Sequence, residues 1–221
     1  MILRRAWRAF IRFAFHLFYN QFAFTYDLVS AFVSRGHWRA WTRAAIPRLA
    51  GTRVLELPCG TGNLTLDLIA SGYAPIGVDL SPAMLRITRG KLNREHPERS
   101  EAESKDASRL LRARAEALPF ASRAFDSIVM PFPPGFAPDP RALAEMNRVL
   151  DDRGRLIWVD GGRLLKRDAW DRALDTALDV VSGASSLVLA EKLLADAGFS
   201  VGVENVQDDA SVVMVITATK G

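Results

Sequence analysis

The sequence is poor in the residues that hold metals and disulfides. Its 221 residues include one cysteine, Cys59, so no internal disulfide can form, and a reducing compartment, the cytoplasm, is the simpler expectation. Its three histidines, His16, His37 and His96, lie far apart in the chain, and no His/Cys cluster has the spacing of metal ligands. No metal is expected. Long apolar runs are missing too. The longest stretch without Asp, Glu, Lys or Arg runs from Phe13 to Tyr26 and includes His16, Asn20, Gln21 and Thr25. It falls short of the ~20 apolar residues of a membrane span and lacks the small-residue cleavage pattern of a secretory leader. Internal repeats and long linkers are absent, and one domain accounts for the length.

Acids are scarce at one end. Residues 1–53 hold nine arginines and a single acid, Asp27, a net +8, whereas residues 54–221 carry twenty Lys and Arg against twenty-four acids, a net −4. A nucleic-acid reader would spread its positive charge over a face of the folded body, so nucleic acid is not the expected partner. The basic end fits an anionic surface or an intramolecular match. Within it, residues 3–18 have helical spacing. Arg4, Arg8, Arg12 and His16 form one stripe, and Leu3, Trp7, Phe10, Ile11, Leu17 and Phe18 lie on another. Two readings stay open for residues 1–18. They form a basic amphipathic helix lying peripherally on a membrane, or their apolar side packs on the domain with the arginines in water.

What the chain does have is the punctuation of an α/β fold. Val54 to Leu57 is a short apolar run that ends in Pro58-Cys59-Gly60-Thr61-Gly62-Asn63, and an apolar-periodic segment (Leu64, Leu66, Leu68, Ile69) follows at once. That order predicts a strand, a tight turn and a helix N-terminus, the place where open α/β sheets bind ligands. Ala74 to Leu80 reads as a second strand ending in Asp79, with Ser81 as N-cap and Pro82 opening a helix to about Asn93. Further strands are expected over Arg109 to Ala115, Phe125 to Met130, Arg155 to Asp160, Phe199 to Val206 and Ser211 to Thr219. Helices are expected from Asp139-Pro140 to Leu150, over residues 164–181 and from Ser186 to Ala197. Arg153-Gly154 reads as a turn and residues 94–108 as a polar loop. Before the first strand, Leu28, Phe32 and Val33 mark one helical pattern, and Trp38, Trp41, Ala45 and Leu49 another. Gly36 breaks them, and Pro47 kinks or ends the second. The predicted fold is α/β: a Rossmann-like, doubly wound, mostly parallel seven-stranded sheet with a closing antiparallel hairpin. Residues 1–50 form a helical lead-in to a body at 51–221.

These segments, in this order, resemble the class I S-adenosylmethionine-dependent methyltransferases, in particular the small-molecule branch that includes the ubiquinone/menaquinone C-methyltransferases. The resemblance covers residues 50–160 best. Val54-Leu55-Glu56-Leu57-Pro58-Cys59-Gly60-Thr61-Gly62 is similar to the family's first motif, and Gly77-Val78-Asp79-Leu80-Ser81-Pro82-Ala83-Met84-Leu85 to the second. Ala115-Glu116-Ala117-Leu118-Pro119-Phe120 with Phe125-Asp126 resembles the third, and Arg148-Val149-Leu150 with Gly154-Arg155-Leu156 the approach to the fifth strand. The resemblance implies S-adenosylmethionine as cofactor. It implies that the turn through Pro58, Gly60 and Gly62 holds the methionine end, with Glu56 adding negative charge near the ammonium and sulfonium. Asp79 would then accept the ribose hydroxyls, a bidentate role suited to a carboxylate. Leu80 and Met84 would flank the adenine, the backbone at Ala115 and Glu116 would meet its edge, and Pro131, at the end of strand four, would be a further cofactor contact.

Two positions depart from the family pattern. Pro58 replaces the first glycine and offers a carbonyl but no N–H, and Arg114 stands where an acid commonly accepts from the adenine amine. Met130-Pro131-Phe132-Pro133-Pro134 lacks the polar first residue of the Asn/Asp-Pro-Pro-aromatic loop of amino-group methyltransferases and is expected to shape a pocket wall. Tyr19, Tyr26 and Phe132 are the candidates for lining an apolar acceptor pocket, with plain aromatic packing as the competing reading. The function implied is methyl transfer to a small, apolar acceptor. Two alternatives stand beside it. One is a methyltransferase-like module whose cofactor site is weakened by Pro58 and Arg114. The other is an NAD-linked oxidoreductase, which the presence of Thr65 where its fingerprint wants glycine disfavours.

Overall fold

The computed structural model describes residues 23–95, 109–133, 139–165 and 187–221. The amphipathic pattern at 3–18, Tyr19, His96 and the helical pattern beyond Leu165 lie outside the described residues. Two lead-in helices come first, α1 (Tyr26–Val33) and α2 (Trp38–Arg43), separated at Gly36, whose φ of +87° suits glycine. Pro47 ends the second pattern early: α2 stops at Arg43, and Ile46–Arg48 closes as a single 3-10 turn.

The body follows as β1 (Val54–Glu56), α3 (Asn63–Ala70), β2 (Ile76–Asp79), α4 (Pro82–Glu95), β3 (Arg109–Arg112) and β4 (Phe125–Pro131). It continues as α5 (Pro140–Val149), β5 (Leu150–Leu164), α6 (Leu187–Asp196), β6 (Phe199–Gln207) and β7 (Ser211–Lys220). The strands form one seven-stranded sheet in the order β3-β2-β1-β4-β5-β7-β6. The first five are parallel neighbours, and β7 runs antiparallel to both β5 and β6, as the hairpin expectation required.

Alternation along the central strands sends side chains to two cores. Ile128, Met130, Leu156 and Trp158 pack with Leu143 and Met146 of α5 and Leu194 of α6 on one face. Val129, Ile157 and Val159 pack with Leu64 and Leu68 of α3 and with Trp41 on the other. Both faces are therefore covered, and β1, most of β2 and most of β4 are buried. At α5, Asp139 caps the helix by accepting from Arg141 N at 2.9 Å, and Pro140 takes the first turn.

Three boundaries differ from expectation. β5 runs past Asp160 to Leu164, where the residue pattern predicts the start of a helix, because Arg163 and Leu164 still pair with Val212 and Ser211 after a register slip. Arg153-Gly154 does not separate a helix from a strand. Instead β5 starts at Leu150, opposite Phe125, and its register slips before Arg155 pairs with Ser127. Arg153, at φ +62°, and Gly154, whose added Cβ would lie 2.8 Å from Asp151 O, absorb this irregularity inside the strand. β3 ends at Arg112 rather than Ala115, because Ala117 N bonds Arg114 O at 3.1 Å and turns the chain.

Candidate active site

Strand order reverses between β1 and β4, since β1 connects to β2 on one side and β4 leads to β5 on the other. Such a switch point opens a crevice beyond the carboxyl ends of the strands. There the protein has a cavity of about 600 Å³, lined from the ends of β1, β2, β3 and β4 and from the two lead-in helices. The turn after β1 is pinned to both neighbours. Leu57 N donates to Val129 O at 3.0 Å, and Cys59 N donates to Val78 O at 2.9 Å. The Leu57–Pro58 peptide between them is cis. Gly60 has φ +53° and nothing within 4 Å of where a Cβ would stand, so the backbone is bare on that side.

Two acids face this cavity from below. Glu56 is fully buried, and its Oε2 accepts from Thr65 Oγ1 at 2.5 Å. Its Oε1 has no hydrogen-bond partner among the described residues. Burial pushes its carboxyl up to about 8, with the charges of Asp79 and Asp67 adding to the effect and the Thr65 bond opposing it. Asp79 ends β2, where its Oδ2 accepts from Gly60 N at 2.9 Å and its Oδ1 from Ser81 N at 2.8 Å. One carboxylate thus ties the glycine turn to the start of α4. Burial raises the Asp79 pKa, and those backbone donors hold it back.

The lead-in helices form the opposite wall. Asp27, the only acid among residues 1–53, accepts from Thr61 Oγ1 at 2.6 Å and from Asn63 Nδ2 at 3.0 Å. Lys91 Nζ of α4 donates both to Asp27 Oδ2 and to Asn63 Oδ1, each at 2.6 Å. The Asp27 pKa lies below its usual value: desolvation, the largest single effect, raises it, but the bonds and charge of Lys91 and the bonds from Thr61 and Asn63 outweigh that together. This network fastens α1 directly to the glycine turn. Beside it, Trp38 stacks on Phe132 with ring centroids 4.3 Å apart, and Tyr26 meets Trp38 edge-on at 6.2 Å. These three rings make an aromatic wall of the cavity.

The structure brings together most residues that the sequence singles out. Glu56, Pro58, Gly60, Asp79, Leu80, Ala115, Glu116, Pro131, Tyr26 and Phe132 all line the cavity, and so does Arg114, whose guanidinium lies 3.6 Å from Glu116. Two residues are placed elsewhere. Met84 is 1% exposed and packs with Ala23 and Ala83 beneath α1, since its position on α4 turns it to the core. Gly62 caps α3 at φ +82°, and a Cβ there would collide with the Thr88 side chain, so its glycine permits close packing of α3 on α4. Thr88 in turn donates to Gly60 O at 2.8 Å.

Sequence reasoning missed Trp38, Thr42, Arg112 and Ala113 in the cavity lining, and it missed the role of Asp27. The solitary acid in an arginine-rich stretch was the available signal for Asp27. Other motif residues prove to be scaffold. Arg148 donates to Phe120 O at 2.8 Å and Leu118 O at 3.0 Å, while Glu145 Oε2 accepts from Leu118 N at 3.0 Å. Asp126 accepts from Thr52 N and Arg53 N, each at 2.9 Å, and pairs with the Arg53 guanidinium. Among the described residues no group of histidines, cysteines and acids could hold a metal ion.

Comparison with known proteins agrees with this geometry. A methyltransferase from Thermotoga maritima described as S-adenosylmethionine-dependent shares the fold, with a TM-score of 0.64 at 23% identity, over 93% of this chain and 99% of that one. In sequence, the demethylmenaquinone methyltransferase of Symbiobacterium thermophilum is 32% identical over 67% of this chain and 59% of its own length. That of Thermus thermophilus is 37% identical over 64% of this chain and 63% of its own length. The chain thus spans about six tenths of the length of these relatives. The model of the ubiE/COQ5 methyltransferase family matches residues 11–175, and the chain belongs to that family.

Proposed function

We propose that this chain transfers a methyl group from S-adenosylmethionine to a small, apolar acceptor. The observation that carries the reading is Glu56: a fully buried carboxyl at the cavity floor with one oxygen left without a partner. A cation with hydrogen-bond donors is the ligand that such an oxygen lacks. The cofactor's ammonium supplies it. Gly60, bare where other residues carry a Cβ, lets the backbone come close to the methionine end. Asp79 has lone pairs left after accepting from Gly60 and Ser81, and these suit the two ribose hydroxyls. Leu80 and Ala115 offer apolar walls to the adenine. Pro58 contributes a carbonyl only, and Arg114 is engaged by Glu116, so neither departure removes these contacts.

When bound, the cofactor supplies an electrophilic methyl group on a sulfonium sulfur. The residues of the chain position and shield. Trp38, Phe132 and Tyr26 exclude water and give an aromatic wall to an apolar acceptor. No histidine or lysine lines the cavity among the described residues; Glu56, Asp79, Glu116 and Tyr26 are its acidic and phenolic groups, and a proton released from an aromatic acceptor leaves to one of them or to water. Relatives named for demethylmenaquinone support an acceptor of that aromatic, lipid-like class. The test is incubation with methyl-labelled S-adenosylmethionine and either reduced naphthoquinones or water-soluble amines. Label in the organic extract is expected. Label confined to the amines would overturn the apolar acceptor.

A further inference from the structure

Trp41 of α2 is buried and does not itself line the cavity, yet the cavity's aromatic wall rests on it. Its ring centroid lies 6.3 Å from that of Trp38 and 6.2 Å from that of Phe132, the two stacked rings that face the cavity. The indole Nε1 donates to Ser211 Oγ at 2.9 Å, across 170 positions of sequence. Ser211, buried at the start of β7, donates in turn from Oγ to Asp208 Oδ2 at 3.1 Å. Asp208 Oδ1 accepts from Ala210 N at 2.9 Å and from Ser211 N at 2.6 Å, so the turn between β6 and β7 is braced from within. β5 makes room for the indole. A Cβ on Gly162 would lie 2.5 Å from Trp41 Cε3, and the pairing of β5 with β7 shifts register between Asp160 and Arg163. The wall is also strained. Phe132 has φ +47°, a left-handed backbone that a bulky side chain rarely adopts. Such a conformation persists only where its surroundings hold it. Here Phe132 N donates to Val159 O at 2.9 Å, and the ring packs on Trp38 and Trp41.

We propose that Trp41 is a positioning residue for methyl transfer: fixed by its bond to Ser211, it holds Trp38 and Phe132 as a preformed wall for the ring of the acceptor. This rests on the apolar-acceptor reading above. The cofactor contacts proposed there, Glu56, Gly60 and Asp79, belong to β1, the turn after it and β2, whereas Trp41 ties α2 to β5 and β7. Its effect therefore falls on the acceptor rather than on S-adenosylmethionine. A wall already in place spares the acceptor the cost of ordering those rings when it binds. Without the Ser211 hydroxyl the buried indole N–H loses its partner, and the ring must shift to find another. Phe132 is then free to leave its strained backbone, and the acceptor's ring is no longer held against the methyl group.

The test is steady-state methyl transfer to a reduced naphthoquinone by the full chain, by Ser211→Ala, by Trp41→Phe and by the double variant. Each single change removes the same bond. Each is expected to raise KM for the naphthoquinone by about fivefold or more, with KM for S-adenosylmethionine and the melting shift with S-adenosylhomocysteine unchanged. The double variant is expected to fall no further than Trp41→Phe alone, since two changes to one bond do not add. An unchanged KM for the naphthoquinone, losses that add in the double variant, or an equal rise in KM for S-adenosylmethionine each overturns the proposal. A parent that does not methylate the naphthoquinone overturns the acceptor reading and the proposal with it, whereas an active parent with unaffected variants overturns the proposal alone. Melting curves of Phe132→Gly and Phe132→Ala give a check that needs no turnover. The glycine variant is expected to melt higher, because glycine adopts the left-handed backbone freely. An alanine variant that melts as high removes the strain and overturns the proposal.

Discussion

Replacing Glu56 by Gln removes a charge that the fold strongly disfavours and keeps the side chain's shape. The Glu56 carboxyl moves from an ordinary 4.5 to about 8 on folding, mainly by burial. Between these values the folded protein keeps a proton that the unfolded chain releases, so stability falls as pH rises across the window and levels off above it. At ~1.4 kcal/mol per pH unit, the full excursion amounts to about 4–5 kcal/mol. Glu56→Gln has no proton to release there. Its stability should stay flatter with pH, and its advantage over the parent should grow from acid to alkaline conditions. Ligand binding should move the other way. A cationic ammonium favours the ionised carboxyl, so affinity for S-adenosylhomocysteine should rise with pH towards about 8 in the parent. In Glu56→Gln it should be weaker and lack that rise. The assay is a series of urea or thermal denaturations across this pH range, each with and without S-adenosylhomocysteine. A variant whose stability falls with pH as steeply as the parent's would refute the reasoning.

Three other perturbations bear on the site and its frame. Asp27→Asn should loosen the hold of α1 on Thr61 and Asn63 and raise KM for S-adenosylmethionine by about tenfold, with a smaller change in kcat, read by labelled methyl transfer. Gly62→Ala should cost about 1–3 kcal/mol in denaturant unfolding, because φ is +82° and the new methyl meets Thr88. Gly60→Ala, with open space beside it, should cost less stability and more cofactor affinity. Arg148→Met should cost about 1–2 kcal/mol by freeing the Leu118 and Phe120 carbonyls, measured in the same unfolding assay.

The parts of the fold written in local order were legible. A strand, a glycine turn and a helix follow one another within residues 54–70, and Asp79 with Ser81-Pro82 marks the next strand end through its own short-range chemistry. Contacts between distant segments were not. Nothing near Asp27 or Trp38 in sequence announces that Thr61, thirty-four residues on, or Phe132 will meet them. Met84 sits in a motif beside cavity residues, yet the turn of α4 sends its side chain inward to Ala23. Helix α1 shows the limit of periodicity most clearly. Its spacing identifies a helix, but the usual assumption that the apolar side faces the core is reversed: Asp27 bonds Thr61 and Lys91, and Ser30 and Ser34 are buried, while Leu28 and Phe32 are exposed. The Phe125-Asp126 and Arg148 motifs were legible as patterns, and only the geometry separates their scaffold role from cofactor contact.

The most direct test of the account is calorimetric titration of the full chain with S-adenosylmethionine, S-adenosylhomocysteine and NAD. Saturable binding of the first two and none of the third is expected, with a matching rise in melting temperature, since a ligand that binds only the folded state stabilises it. No binding of either sulfur compound at millimolar concentration, or binding of NAD in their place, would contradict it.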